Sequence, residues 1–208
     1  MVASDRHASH KYSSGIADTL GFLTERLGMS THNFDTLRGA VVNASLSRSW
    51  AQAVREWQVI GVEEDPHSTG ICVCGKTGLL YLYAIHNQQS QETLFPIGSS
   101  CVNLFEIEEL DISVAVLEKL FKLRAAFLAG KHVELSSEYF SRAVLADLWE
   151  NGAFPPNGFN RSNGDNDYKF LLDLFNQRHE ITENENRKVW VLINRTIGPF
   201  VVGDKRLG

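Results

Sequence analysis

The chain has 208 residues, a hydrophobic share of 43% and a formal net charge of −5. These values are typical of a soluble globular protein and argue against disorder, and no apolar run approaches the ~20 residues that a membrane span needs. The acidic balance, without a polybasic tract, argues against sequence-independent binding to duplex DNA. Because the amino terminus also has no apolar core of a secretory signal, we expect a soluble, cytoplasmic protein.

The amino-terminal part of the chain predicts helices. Residues 1–15 are expected to form a flexible leader, and 16–62 a helical segment. Within that segment, 17–28 is typical of a short amphipathic helix that ends at a glycine. The spacing of apolar residues predicts a further helix over 37–44 and, after a break, its continuation over 50–57.

The pattern changes after residue 60. The acidic residues, proline and glycines of 61–70 indicate a linker. The stretches 78–87 and 92–98 are rich in strand-forming residues and are separated by the polar sequence NQQSQ, which predicts a β-hairpin. Residues 63–106 are therefore expected to form a small hairpin module.

Helical patterns return over 107–208, so the predicted fold is mainly α, of the α+β class, with helical segments on either side of the hairpin module. The predicted helices are 113–129, one that begins at Ser136 or Ser137 and ends near Asn151, one capped by Asp167, and one that runs from a capping box of Thr182 and Glu185 to Gly198-Pro199.

The three cysteines of the chain all lie at this hairpin. Cys72 and Cys74 precede it and Cys101 follows it, so folding of the hairpin brings them together. A structural zinc ion takes four thiolate or imidazole ligands in a tetrahedron, and a two-stranded hairpin needs such support. We therefore predict a structural zinc site with His86 as the most economical fourth ligand and His67 as the reserve. The alternative is three buried thiols that act as small hydrophobic groups.

The spacing of the first two cysteines is C-x-C, which is tighter than the more usual C-x₂-C of zinc sites. Gly75 follows this pair directly, and Gly98 precedes the third cysteine. We expect both glycines to allow tight turns of the backbone.

The sequence 72–105 combines C-x-C-G, an aromatic-rich strand, I-x-N and I-G-S-x-C. It resembles a zinc-binding module found in small, mostly uncharacterised proteins of phages, prophages and bacteria, and the strings EW (56–57) and YKFLLDLFNQR (168–178) extend the resemblance. The resemblance implies that the three cysteines are metal ligands and that the chain originates from a mobile element. It implies no particular activity, and its I-x-N position admits residues other than histidine.

No nucleophile, base and orienting acid come together in the sequence. We therefore predict a non-enzymatic binding or accessory protein that contacts a host or phage protein through the loop carrying Phe154 and Phe159. The alternative is a nucleic-acid-binding accessory protein whose zinc hairpin presents Lys76, Tyr81 and Tyr83 to a strand, since aromatic rings stack on bases. An enzyme of unidentified chemistry is the third hypothesis.

Overall fold

The structure is a computed structural model that describes residues 30–177 and 180–208. The predicted leader and the predicted helix over 17–28 lie outside the described residues. The described chain is mainly helical and contains a small antiparallel sheet, which confirms the predicted fold class at this level.

The chain divides into two compact units that are each built from two stretches of sequence. In the described part of the chain, unit 1 comprises residues 30–58 and Asp65–Glu106. Unit 2 comprises Val59–Glu64 and Ile107–Gly208. All three cysteines therefore belong to unit 1.

Unit 1 is assembled from short elements. Its strands form a three-stranded sheet, in which β4 lies between β1 and β5, and a separate two-stranded ribbon of β2 and β3. Only the start of β1 belongs to this unit. The elements are α1 (Thr31–Asn43), α2 (Trp50–Ala53), β1 (Trp57–Glu64), β2 (Gly70–Ile71), β3 (Thr77–Leu79), β4 (Tyr81–Asn87), β5 (Thr93–Ile97) and α3 (Ser99–Asn103).

The predicted hairpin is confirmed as the antiparallel pair of β4 and β5. Tyr83 lies opposite Ile97, and His86 lies opposite Thr93. Alternate side chains of β4 are buried, as the period of two in a half-buried strand requires. This face of the hairpin supplies much of the core of unit 1.

Strand β1 was not predicted, and the helix expected over 50–57 is wrong beyond Ala53. A short 3₁₀ turn follows α2, and the chain is extended from Trp57 onward. The stretch WQVIGV is rich in β-branched and aromatic residues, which favour a strand, and this composition outweighs the helical spacing of two tryptophans and a valine. The linker predicted from residue 61 consequently begins only after Glu64.

Unit 2 has longer helices and an apolar core. Its helices are α4 (Glu108–Leu128), α5 (Arg142–Glu150), α6 (Asp165–Asn176), α7 (Glu183–Val191) and α8 (Gly198–Val202), with a π-helical stretch over Leu192–Ile197. The largest fully buried side chains among its described residues are Phe140, Leu120, Leu123, Leu145, Leu148, Leu171, Ile193 and Ile197.

Three predicted helix starts in unit 2 have different outcomes. The Thr182–Glu185 capping box is confirmed, with both reciprocal hydrogen bonds present. Helix α5 is capped instead by Ser141, whose hydroxyl accepts a bond from Val144 N–H, so the prediction of a cap at 136–137 is wrong. Asp167 is not a cap either, because it lies within the first turn of α6 and is buried.

Gly198-Pro199 does not end the last helical stretch as predicted. The π-helical turns over Leu192–Ile197 lead directly into α8, and the proline occupies the first turn of that helix. A proline is tolerated in the first turn of a helix because its fixed φ suits the helical backbone.

Candidate metal centre

The three cysteines converge within unit 1, as the hairpin predicts. The Sγ atom of Cys101 lies 3.5 Å from that of Cys72 and 3.4 Å from that of Cys74. All three Sγ atoms lie within 4.8 Å of one another, and all three residues are buried. A single metal ion can therefore contact all three sulfurs. The thiols are free, since these separations far exceed the ~2.05 Å of a disulfide bond.

Local backbone geometry positions the first two sulfurs. Cys72 and Cys74 lie in the turn between β2 and β3, where Cys72 N–H bonds to Lys76 O at 2.8 Å and Gly75 N–H bonds to Cys72 O at 2.7 Å. Gly75 has φ +87°, a conformation that glycine adopts without strain, so its predicted role in a tight turn is confirmed. Lys76 N–H also points at the Cys74 sulfur, at 3.4 Å.

Gly98 acts differently from the prediction. Its φ of −81° is ordinary, so it does not provide a left-handed turn. It provides space and a donor instead: a Cβ atom there would meet Leu79 Cδ2 at 3.1 Å, and its N–H lies 3.4 Å from Cys72 Sγ. The residue thus lets the start of α3, which carries Cys101, lie close to the β2–β3 turn.

The environment of the cluster favours an anionic sulfur. The contact with Cys101 lowers the pKa of the Cys72 thiol to about 5, although burial alone would raise it. Hydrogen bonds from the N–H groups of Cys74 and Gly98 lower this pKa as well. The same contact and burial raise the pKa of Cys101. Since a thiolate is the form that binds metals, the lowered pKa makes the Cys72 sulfur suited to bind a cation.

Asn33 is a neighbour of the cluster that the sequence did not reveal. Its side-chain Nδ2 donates to Cys74 O at 3.0 Å and lies 3.9 Å from Cys74 Sγ. It belongs to the first turn of α1, whose amino-terminal end carries partial positive charge. Asn33 precedes Cys74 by 41 positions, and nothing in its local sequence indicates the contact.

The structure does not bring either predicted histidine to the sulfurs. His86 lies on β4 with its Nδ1 3.2 Å from Thr93 Oγ1. His67 lies exposed in the turn after β1, where its N–H bonds to Asp65. In the described part of the chain, no histidine, aspartate or glutamate joins the cysteine group.

A second buried cluster connects the hairpin to the amino-terminal helices of unit 1. The Glu56 carboxylate accepts three hydrogen bonds at 2.9 Å, from Leu46 N–H, Ser47 N–H and Asn87 Nδ2. Burial raises the pKa of Glu56, but these hydrogen bonds outweigh that effect and lower the pKa to about 2. Trp57 Nε1 donates to Ser45 at 2.9 Å in the same cluster. Glu56, Trp57 and Asn87 are the E, W and N of the EW and I-x-N strings.

The remaining predicted contact residues occupy different environments. Phe154 is 6% exposed and packs against Tyr168, so it does not offer its ring to a partner, whereas Phe159 is 100% exposed. Lys76 is exposed in the turn between β2 and β3, and Tyr81 is partly exposed on β4. Tyr83 is 0% exposed and is not available to stack on a base.

Neither protein-family models, nor curated proteins, nor solved structures gave a match to this chain. Over residues 30–177 and 180–208, no helix has both the length and the apolar character required to cross a bilayer.

Proposed function

We propose that the protein is a non-enzymatic binding or accessory protein whose unit 1 is stabilised by a structural zinc ion. The observation that carries this proposal is the convergence of three buried sulfurs from the β2–β3 turn and α3. The metal would add to the small apolar core of these short elements by fixing the β2–β3 turn to the start of α3.

The geometry of the sulfurs supports zinc. In a tetrahedral site with Zn–S bonds of ~2.3 Å, neighbouring sulfurs lie ~3.8 Å apart. The separations of 3.4 and 3.5 Å are within a few tenths of an ångström of this value. Thiolates also favour zinc over magnesium or calcium, which take oxygen ligands.

A structural role is supported by the ligand set and its burial. Three thiolates donate enough charge to a zinc ion to reduce its Lewis acidity, and Cys72, Cys74 and Cys101 are at most 3% exposed. A substrate would have little access to a metal in this position. Backbone N–H groups at Lys76 and Gly98 stabilise the sulfur charge further.

Protein contact is favoured over nucleic-acid contact. The net charge of −5 opposes phosphate binding, and burial of Tyr83 removes one of the rings that the alternative needs. The fully exposed Phe159 is the side chain best suited to anchor a partner. The resemblance of 72–105 to the phage and bacterial module supports a mobile-element origin, and free thiols suit the reducing cytoplasm of a host cell.

Metal content tests the proposal. Untagged protein, measured by inductively coupled plasma mass spectrometry, is expected to carry about one zinc per chain. Cys101→Ser is expected to lose it, while His86→Ala, which changes an imidazole outside the sulfur cluster, is the matched control and is expected to keep it. The proposal would be overturned if wild-type protein, purified from cells grown in zinc-supplemented medium, contained no zinc.

A further inference from the structure

The loop between α5 and α6 holds one aromatic ring in solvent. Phe159 lies in a 3₁₀ turn over Gly158–Asn160 and is 100% exposed. The turn is closed by a capping box: Asn157 Oδ1 accepts the N–H groups of Phe159 at 2.8 Å and Asn160 at 3.1 Å, and Asn160 Oδ1 accepts Asn157 N–H at 2.8 Å. The backbone that carries the ring is thus fixed by its own side chains.

Buried polar contacts attach this turn to the rest of unit 2. Asn160 is 2% exposed, and its Nδ2 donates to Pro155 O at 3.0 Å and to Asp167 Oδ2 at 2.9 Å. Asp167 in turn forms a 3.1 Å ion pair with Lys188 of α7. Because the backbone that carries Phe159 is held this way, only the rotations of the Phe159 side chain itself are lost when the ring binds, which favours its use as an anchor.

The residues after the ring adopt an unfavourable conformation. Arg161 and Ser162 both have φ +57°, in the left-handed region that non-glycine residues rarely occupy. Such strain persists only where surrounding contacts over-determine it, and it concentrates at binding and switch segments. Arg161 is exposed, so a positive charge accompanies the ring.

Unit 2 also contains a groove with complementary features. The groove lies among the end of β1, α4 and α5 and has a volume of about 360 Å³, which can accommodate one aromatic side chain. Ile60 and Ile112 line it and are 41% and 46% exposed. The other apolar residues of the lining are Val59, Val116, Leu117, Ala143 and Ala146.

The lining of this groove contains one ion pair and one further carboxylate. Asp147 is paired with Arg206 through two bonds of 2.8 and 2.9 Å. Glu150, which also lines the groove, has no ion pair with any residue in the described ranges. An incoming ring that brings one positive charge fits a groove with one unpaired carboxylate.

We propose that the occupant of this groove is a second copy of the chain, with Phe159 of one protomer between Ile60 and Ile112 of the other and Arg161 facing Glu150. The proposal rests on the proposed function in one respect, the use of Phe159 as a contact residue. It is independent of the metal, because both surfaces lie in the unit without cysteines. In a two-fold dimer this contact occurs twice, and two exposed aromatic anchors with two rim charge pairs predict a weak, micromolar association.

Sedimentation equilibrium of metal-replete protein, from low to high micromolar concentration, tests the proposal. The wild type is expected to dimerise, Phe159→Ala to weaken dimerisation at least tenfold, and Ile112→Asp to do the same. The control is Leu46→Ala, which removes an exposed apolar side chain of unit 1, outside both proposed surfaces. This variant is expected to dimerise normally. Circular dichroism of each variant checks that the fold is retained.

Two mixing experiments test the specific pairing. An equimolar mixture of Phe159→Ala and Ile112→Asp is expected to recover association, because one intact ring and one intact groove remain. Arg161→Glu is expected to weaken the dimer, and Arg161→Glu with Glu150→Arg to restore it. This charge-reversal pair still tests the proposal if Ile112→Asp fails to fold.

Three outcomes would overturn the proposal: a wild type that stays monomeric over the whole range, a dimer unaffected by Phe159→Ala, or a mixture that does not recover association. If a monomeric wild type instead captured a different protein through Phe159, the second copy would be the wrong occupant while the proposed function would stand. If the wild type carried no zinc but still dimerised, the proposed function would fail while the proposed dimer would stand.

Discussion

The two units of this chain are stabilised in contrasting ways. In the described part of unit 1, the longest helix has 13 residues and strands β2–β5 have two to seven. In unit 2, α4 alone has 21 residues and lies against an extensive apolar core. Unit 1 buries apolar side chains as well, but in addition it has the Glu56 cluster and the three sulfurs, which connect short elements that are distant in sequence.

This contrast indicates where each unit is vulnerable. A helical core loses a fraction of its stability when one contact is removed, since the others remain. A unit of short elements depends on single connections between segments that are distant in sequence, such as Cys101 with Cys72 or Glu56 with Asn87. Substitutions or conditions that break those connections are therefore expected to separate the behaviour of the two units.

Removal of the metal should have the largest effect. A structural zinc ion contributes on the order of 10 kcal/mol to the folding of small domains. We expect a chelator to raise the amide exchange rates of the β2–β3 turn and α3 strongly while α4 remains protected, as measured by hydrogen–deuterium exchange with mass spectrometry.

The control for this experiment is Cys101→Ser, which should show fast exchange in unit 1 before any chelator is added and no further response to it. If the chelator raised the amide exchange rates of α4 and α3 in the wild type equally, the two units would not differ in their dependence on the metal. Restored protection after zinc is added back would exclude irreversible damage.

Glu56→Gln should have the next largest effect. The substitution keeps the shape but removes the charge and turns one of the two acceptor oxygens into an NH2 group that faces an N–H donor, at an expected cost of about 2 kcal/mol at pH 7. The pKa of Glu56 is lowered from 4.5 to about 2, so its contribution is complete above pH 4.5 and is lost as the pH falls toward 2. The difference in thermal midpoint between wild type and variant should therefore narrow below pH 4.5.

Release of metal in acid affects both proteins alike, so the comparison between them isolates the carboxylate. Lys76→Gln, an exposed substitution in the same unit, serves as a second reference and should follow the wild type at every pH. A gap between wild type and Glu56→Gln that stays constant from pH 7 to pH 3 would contradict the assigned role of the charge.

Thr182→Ala should have the smallest effect of the three. The substitution removes the capping bond at the start of α7 and is expected to lower the free energy of unfolding by about 1 kcal/mol in urea titrations. Ser113→Ala removes a hydroxyl from the interior of α4, where alanine is the better helix former, and should not destabilise unit 2. A larger loss for Ser113→Ala than for Thr182→Ala would contradict this assignment.

The features predicted from the sequence are those with local signals. The β4–β5 hairpin follows from two strand-forming stretches around a polar loop, the α7 start from a capping box within four residues, and the sulfur cluster from cysteines on either side of the hairpin. In each case the residues that determine the structure are near neighbours, or are brought together by one turn.

The features missed depend on residues far apart in the chain. Strand β1 is an exception, since its local composition favours a strand but the helical spacing of two tryptophans and a valine concealed it. Asn33, by contrast, reaches Cys74 across 41 positions. Aspartate is a typical helix cap, but Asp167 is buried, where it accepts a hydrogen bond from Asn160 and forms an ion pair with Lys188. A local pattern contains no information about such distant partners, so the surroundings of the sulfurs and the burial of Asp167 could not be predicted from it.

The position of the cysteines also has a consequence for the order of synthesis. Cys101 is translated 27 positions after Cys74, and the last residue of unit 1 is Glu106. The 102 residues from Ile107 to Gly208 are still to be made at that point, which takes about 5–20 s at bacterial elongation rates. If the sulfurs bind a metal ion as we propose, they can therefore acquire it before the synthesis of unit 2 is complete.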